Sequence, residues 1–204
     1  MFYKNILETV PIYVYGFESL FSGIVIYDSI MYVLFNLCFT SWPVIIFATM
    51  DYEYSKDFIT RRPRLYRIGL ENVYFNKWVF WRWVFYAFWQ STLIMFLVFY
   101  SLENISPNKD GLYSGVFVSG NLVFTMLVIV SNIKILISSY QVSGINLFFV
   151  FGSIGFYFLV FVLESKNMMS SEQFGTLYMM MTAVSTYFVF ILCTFMFVLV
   201  DTGL

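Results

Sequence analysis

Six residues near the start of the chain, Lys4, Glu8, Pro11, Tyr15, Glu18 and Ser22, follow one another at steps of four, three, four, three and four. That spacing lays them along one face of a helix. Lys4 and Glu8 stand at i,i+4, where opposite charges are able to satisfy each other. Pro11 has no amide hydrogen, so it frees the carbonyl of Leu7 as an exposed acceptor on that face. A second stripe follows, in which Asn36, Thr40 and Pro43 share a face and Pro43 frees the carbonyl of Phe39. Lys4 with Asn5 and Asn36 offers an ammonium and two amides, groups that bind a phosphate or a carboxylate. A structural polar interface between helices explains the same residues, because interhelical hydrogen bonds in membranes are common.

These stripes lie in segments that cross a membrane. Of 204 residues, 60% are hydrophobic, 23% aromatic and 11% charged. A soluble domain of this size carries about a quarter charged residues, so the composition points to an integral membrane protein. A span needs ~20 mostly apolar residues. Six segments qualify, at 2–24, 30–50, 78–100, 113–137, 142–163 and 175–200, and they predict an all-α bundle of six transmembrane helices. A short turn at 25–29 holding Asp28 would bring the first two stripes together as a polar seam. The first segment lacks a basic leader, and Glu8, Pro11 and Glu18 interrupt it, so it reads as a span and not as a cleavable signal.

Six of the eleven basic residues, Lys56, Arg61, Arg62, Arg64, Arg67 and Lys77, lie in the long loop 51–77. The positive-inside rule places this loop in the cytosol, and the parity of six spans then places both chain ends there too. The loops 101–112 and 164–174 fall outside, with only Lys109 and Lys166 between them. The arginine run also suits anionic lipid headgroups or a cytosolic docking partner.

Charges inside hydrocarbon cost roughly 2.5–3.5 kcal/mol each on insertion scales, so those that persist usually face a bundle interior or a pathway. That argument singles out Lys4, Asn5 and Asn36. Asn121, Asn132, Lys134 and Asn146 lie mostly near span ends and read as packing or snorkelling groups. Gly152, Ser153 and Gly155 are expected to permit close helix approach. The chain has no histidine and two cysteines, Cys38 and Cys193, each inside an apolar span. Neither a His-based catalytic group nor a Cys metal site is suggested.

Spaced strings along the chain resemble one family. Phe2-Tyr3-Lys4-Asn5 is followed by Tyr15-Gly16-Phe17, Phe21-Ser22-Gly23, Tyr27-Asp28, Phe35-Asn36-Leu37, Phe39-Thr40-Ser41 and Pro43-Val44. Pro63, Leu65-Tyr66, Gly69, Tyr74-Phe75-Asn76, Phe80-Trp81, Gln90-Ser91, Asn132, Lys134-Ile135-Leu136 and Gly152-Ser153-Ile154 complete the series. Taken together they resemble the C-terminal membrane domain of P4-type ATPases, the phospholipid flippases, most strongly over residues 1–92. The resemblance implies that the six spans correspond to transmembrane helices five to ten of such a pump, with 1–204 as its phospholipid-transporter C-terminal domain. It implies movement of an aminophospholipid or related lipid from the exoplasmic to the cytosolic leaflet. It assigns substrate handling to Lys4, Asn5, Asp28, Asn36 and Thr40.

The family's phosphorylation motif Asp-Lys-Thr-Gly-Thr is absent from these residues, so no catalytic residue and no metal ligand is assigned here. ATP and Mg²⁺ are implied only for catalytic domains outside them. The implied partners are phospholipid, the bilayer, an N-terminal half or split partner chain and a flippase accessory subunit; nucleic acid is not among them. The implied membrane is the plasma membrane or the Golgi and endosomal membranes. On this reading the chain is a truncated product, one part of a split pump or an inactive remnant. A noncatalytic scaffold derived from a pump is the second reading, and an unrelated six-span channel or carrier the third.

Overall fold

The computed structural model describes residues 2–62, 66–70, 76–103, 115–166 and 173–203. It is helical throughout, with no strand among the described residues. Helices α1 (Phe2–Glu18) and α2 (Ser29–Leu34) open the chain, and a π-turn at Phe35–Phe39 joins α2 to α3 (Ser41–Met50). Two short helices follow, α4 (Lys56–Arg61) and α5 (Tyr66–Leu70). The long helices are α6 (Lys77–Glu103), α7 (Val116–Ser138) and α8 (Gly144–Lys166). The short α9 (Thr176–Thr182) and the long α10 (Val184–Gly203) complete the order.

Among the described residues, five stretches are long and apolar enough to cross a bilayer: Ser29–Met50, Lys77–Leu102, Val116–Ser138, Gly144–Lys166 and Val184–Gly203. Helices suit this environment because every backbone group inside hydrocarbon must be satisfied within its own segment. The first expected span, 2–24, is shorter than its apolar content suggests. It is helical over 17 residues, or ~25 Å at 1.5 Å per residue, against a ~30 Å core. Beyond Glu18 the chain turns, with Leu20 and Phe21 at φ 52° and 54° and Gly23 at φ 80°. Such left-handed positions cannot continue an α-helix. The last expected span, 175–200, is also divided. Ala183 is extended, with φ −82° and ψ 114°, and separates α9 from α10.

The core is built around α7, whose apolar stretch is 83% buried, against 22–39% for the other four. A helix apolar on all sides belongs at the centre of a bundle. It packs against α6, α8, α9 and α10, while α1 lies along α6 and α3 along α8. Phe124 of α7 holds the ring cluster, 5.2 Å from Tyr27 and 5.6 Å from Phe35 between centroids. Close approach occurs at Gly120 of α7, where a Cβ would stand 2.1 Å from the carbonyl oxygen of Ile26. The expectation that Gly152 and Gly155 serve this purpose is corrected, because nothing lies within 4 Å of a Cβ at either.

Candidate functional site

The seam is set by the break in the second span. The π-turn widens the helix at Phe35–Phe39, and Thr40 leaves helical geometry at φ −131° and ψ −17°. Pro43 then occupies the first turn of α3, where its missing amide is tolerated. π-turns of this kind re-aim the side chains around them. Thr40 Oγ1 donates to the carbonyl of Phe35 at 2.6 Å and accepts from Lys4 Nζ at 2.9 Å. One turn further along α1, Glu8 Oε2 accepts from Asn36 Nδ2 at 2.7 Å. The two stripes therefore meet, with Lys4 and Glu8 each turned to a partner on the facing segment instead of to each other.

Both proline-freed carbonyls are occupied. Leu7 O accepts from Ser91 Oγ of α6 at 3.0 Å. Phe39 O accepts from Asn132 Nδ2 of α7 at 3.0 Å and from Ser153 Oγ of α8. The expected acceptor at Leu7 is thus used by packing and is not open to a ligand. The bonds to Phe39 O tie the broken segment to α7 and α8, while the bond to Leu7 O ties α1 to α6.

Lys4 and Thr40 also line a cavity of about 520 Å³. Its walls come from α1, α3, α6 and α7, with Phe2, Phe47, Phe80 and Trp83 supplying apolar surface and Ser131 and Ser138 hydroxyls. A few polar groups on a mostly apolar wall are what an amphiphile requires.

Not every expected site residue joins this group. Asn5 is exposed and lies outside the cavity wall, and its carbonyl accepts from Thr9 Oγ1 at 2.8 Å. Asp28 stands at the far end of the second span as the N-cap of α2, accepting from the amides of Ile30 and Met31 at 2.8 and 3.2 Å. A cap satisfies orphan amides at a helix start.

A second polar cluster adjoins the cavity. Asp201 of α10 pairs with Lys134 of α7 at 2.7 Å. It also accepts from Tyr86 OH and, at 3.2 Å, from Gln90 Nε2. Gln90 Oε1 accepts from Tyr3 OH, beside Lys4. The Lys134 ammonium sits 4.4, 5.2 and 5.9 Å from the ring centroids of Tyr86, Trp83 and Tyr3. Lys134 is therefore a partly buried ion-pair residue lining the cavity, and not the snorkelling group expected from its place near a span end. The signal in the sequence was a pair of opposite charges, Lys134 and Asp201, near the ends of two otherwise apolar spans. Asn121 is likewise buried, donating to Gln173 Oε1 at 2.7 Å.

The family model for the phospholipid-translocating P-type ATPase C-terminal region matches residues 1–204. The chain belongs to that family. It is 30% identical over 149 residues to Phospholipid-transporting ATPase IH of Mus musculus, a match covering 73% of this chain and 13% of the relative. It is 33% identical over 137 residues to Phospholipid-transporting ATPase 10 of Arabidopsis thaliana, covering 67% of the chain and 11% of the relative. It is 32% identical over 93 residues to Phospholipid-transporting ATPase DRS2 of Saccharomyces cerevisiae, covering 46% and 7%. The matched part of the chain thus spans between 7% and 13% of the length of these relatives. Within the phospholipid-translocating family, these described residues form a multi-pass membrane unit whose best-built polar feature is the Lys4–Thr40, Glu8–Asn36 seam.

Proposed function

We propose that the chain is the lipid-handling membrane part of a phospholipid flippase. On this reading it moves an aminophospholipid or related lipid from the exoplasmic to the cytosolic leaflet. Its spans take the places of transmembrane helices five to ten, with α1 as the first of the six and both chain ends cytosolic, in a plasma or Golgi–endosomal membrane. The observation that carries the reading is the meeting of Lys4 with Thr40 in the wall of an apolar cavity, with the Glu8–Asn36 bond one turn further along α1. Lys4 holds the phosphate as a charge-assisted donor and Asn36 orients the head. The acyl chains stay against apolar surface. ATP and Mg²⁺ act on catalytic parts outside these residues and drive the helices between states.

The test is Lys4→Ala and Asn36→Ala in the assembled pump, read as lipid-stimulated ATPase activity and as lipid transport in vesicles. Hydrogen bonds to charged groups are worth about 1.5–3 kcal/mol, so Lys4→Ala should lower the lipid response roughly tenfold or more. Asn36→Ala should lower it less. Undiminished lipid stimulation in both variants removes the site assignment and leaves a noncatalytic scaffold as the better reading.

A further inference from the structure

Glu8 is the least satisfied charged group of the seam. Its side chain is 1% exposed. Oε2 accepts from Asn36, but Oε1 is buried with no hydrogen-bond partner. An ionised carboxyl has room for about four donors, and a buried oxygen without one is costly. Lys4, one turn away, attracts the carboxylate but is fixed on Thr40, which is itself fixed on the Phe35 carbonyl. The charges within reach are therefore one cation and one anion side by side, each with unused capacity. Tyr27, in the turn before α2, also has a hydroxyl buried without a partner. Asn36 is exposed and closes over the carboxyl through a single bond, so rotation of one side chain opens it.

That arrangement complements a zwitterion whose two charges stand about one helical turn (~5.4 Å) apart. We propose that Glu8 receives the ammonium group of a phospholipid headgroup while Lys4 takes its phosphate, so that the seam selects amines that retain N–H donors over quaternary ammonium. The proposal rests on the reading of the seam as a lipid site. Glu8 is then a specificity residue, because a quaternary nitrogen has charge but no hydrogen to give Oε1. Phosphatidylethanolamine offers three donors, its monomethyl and dimethyl derivatives two and one, and phosphatidylcholine none.

The experiment is native mass spectrometry of the full 204-residue chain in detergent micelles, titrated with those four lipids at matched acyl chains. Retention should fall stepwise along the series, with phosphatidylcholine at least about tenfold weaker than phosphatidylethanolamine. Glu8→Gln should flatten the series to within about twofold, whereas Lys4→Gln should weaken all four lipids alike. Water-soluble phosphoethanolamine should compete poorly, because it lacks the chains that the walls at Phe2, Phe47 and Trp83 would hold. Competition as strong as the lipid's would overturn the lipid source. A flat wild-type series, or a Glu8→Gln variant that keeps the preference, overturns the Glu8 assignment even though Lys4→Gln still weakens every lipid. If Lys4→Gln changes nothing for any lipid, the lipid-site reading fails with it. Should Glu8→Gln not fold, Glu8→Asp takes its place: withdrawing the carboxylate by one methylene should shrink the preference, and an unchanged series overturns the assignment.

Discussion

The sharpest physical prediction concerns the pair formed by Lys134 and Asp201. Their side chains are 12% and 2% exposed, so the Asp201 carboxylate is nearly covered while Lys134 borders the cavity. Removing one partner of a buried pair costs about 3–5 kcal/mol, because the other charge is left uncompensated. The two single substitutions should not be equal in origin. In Asp201→Ala the Lys134 ammonium keeps three aromatic rings within 6 Å, and desolvated cation–π contacts are worth up to about 2 kcal/mol. That cage holds the loss near the lower end, about 3 kcal/mol. In Lys134→Met the carboxylate keeps only the Tyr86 hydroxyl and the Gln90 amide as donors, both uncharged. That loss should lie near the upper end.

Replacing both partners, as Lys134→Met with Asp201→Leu, removes the buried charges together and should return stability to within about 1 kcal/mol of the parent. The assay is unfolding in mixed micelles followed by tryptophan fluorescence, with Trp83 in the cage as reporter. The four proteins form a double-mutant cycle whose coupling term should exceed about 2 kcal/mol and change little with added salt. Additive single effects below about 1 kcal/mol each would refute the reasoning and place the pair in solvated contact at the edge of the bundle.

Two further predictions separate packing from lipid binding. Gly120→Ala drives a Cβ into the Ile26 carbonyl, a backbone atom that cannot rotate away. Such overpacking costs about 1–3 kcal/mol, seen as a lower unfolding midpoint, whereas Gly152→Ala and Gly155→Ala, facing open space, should leave it unchanged. Asp28→Ala should cost about 1 kcal/mol as a lost N-cap and speed hydrogen exchange at the amides of residues 30 and 31. Lipid retention in Asp28→Ala should stay within about twofold of the parent, and a selective loss of retention would restore Asp28 to the substrate site.

Several of these features were legible in the sequence and others were not, for identifiable reasons. The rule that a proline frees the carbonyl four residues before it found both acceptors, Leu7 and Phe39. It does not reveal which donors arrive, because Ser91, Asn132 and Ser153 are brought by helix packing between segments 84, 93 and 114 residues apart. Periodicity likewise found the two stripes and their meeting, but the i,i+4 spacing of Lys4 and Glu8 suggested a mutual pair. Thr40 wins Lys4 because the break in the second span aims its hydroxyl across the seam. The end of α1 was hidden by composition, since Leu20, Phe21 and Ile24 continue the apolar run through a turn that only dihedral angles disclose. The Lys134–Asp201 pair required knowing that α7 and α10 are neighbours, which no local pattern carries.

The break in the second span also explains why the seam can be both stable and receptive. Unwinding at 35–40 leaves backbone carbonyls without helical partners, a cost that hydrocarbon does not forgive. Thr40 covers the Phe35 carbonyl, while Asn132 and Ser153 cover that of Phe39, so the irregular backbone is held from three sides. Around this break the buried side-chain oxygens without a partner include Glu8 Oε1, Tyr27 OH and Asn132 Oδ1, and of these Glu8 Oε1 belongs to a carboxyl. A fixed frame with an open acceptor on a carboxyl is the arrangement that lets a ligand be recognised without the frame having to reorganise. Asn36, bonded to that same carboxylate from the exposed side, is then the group whose rotation uncovers it.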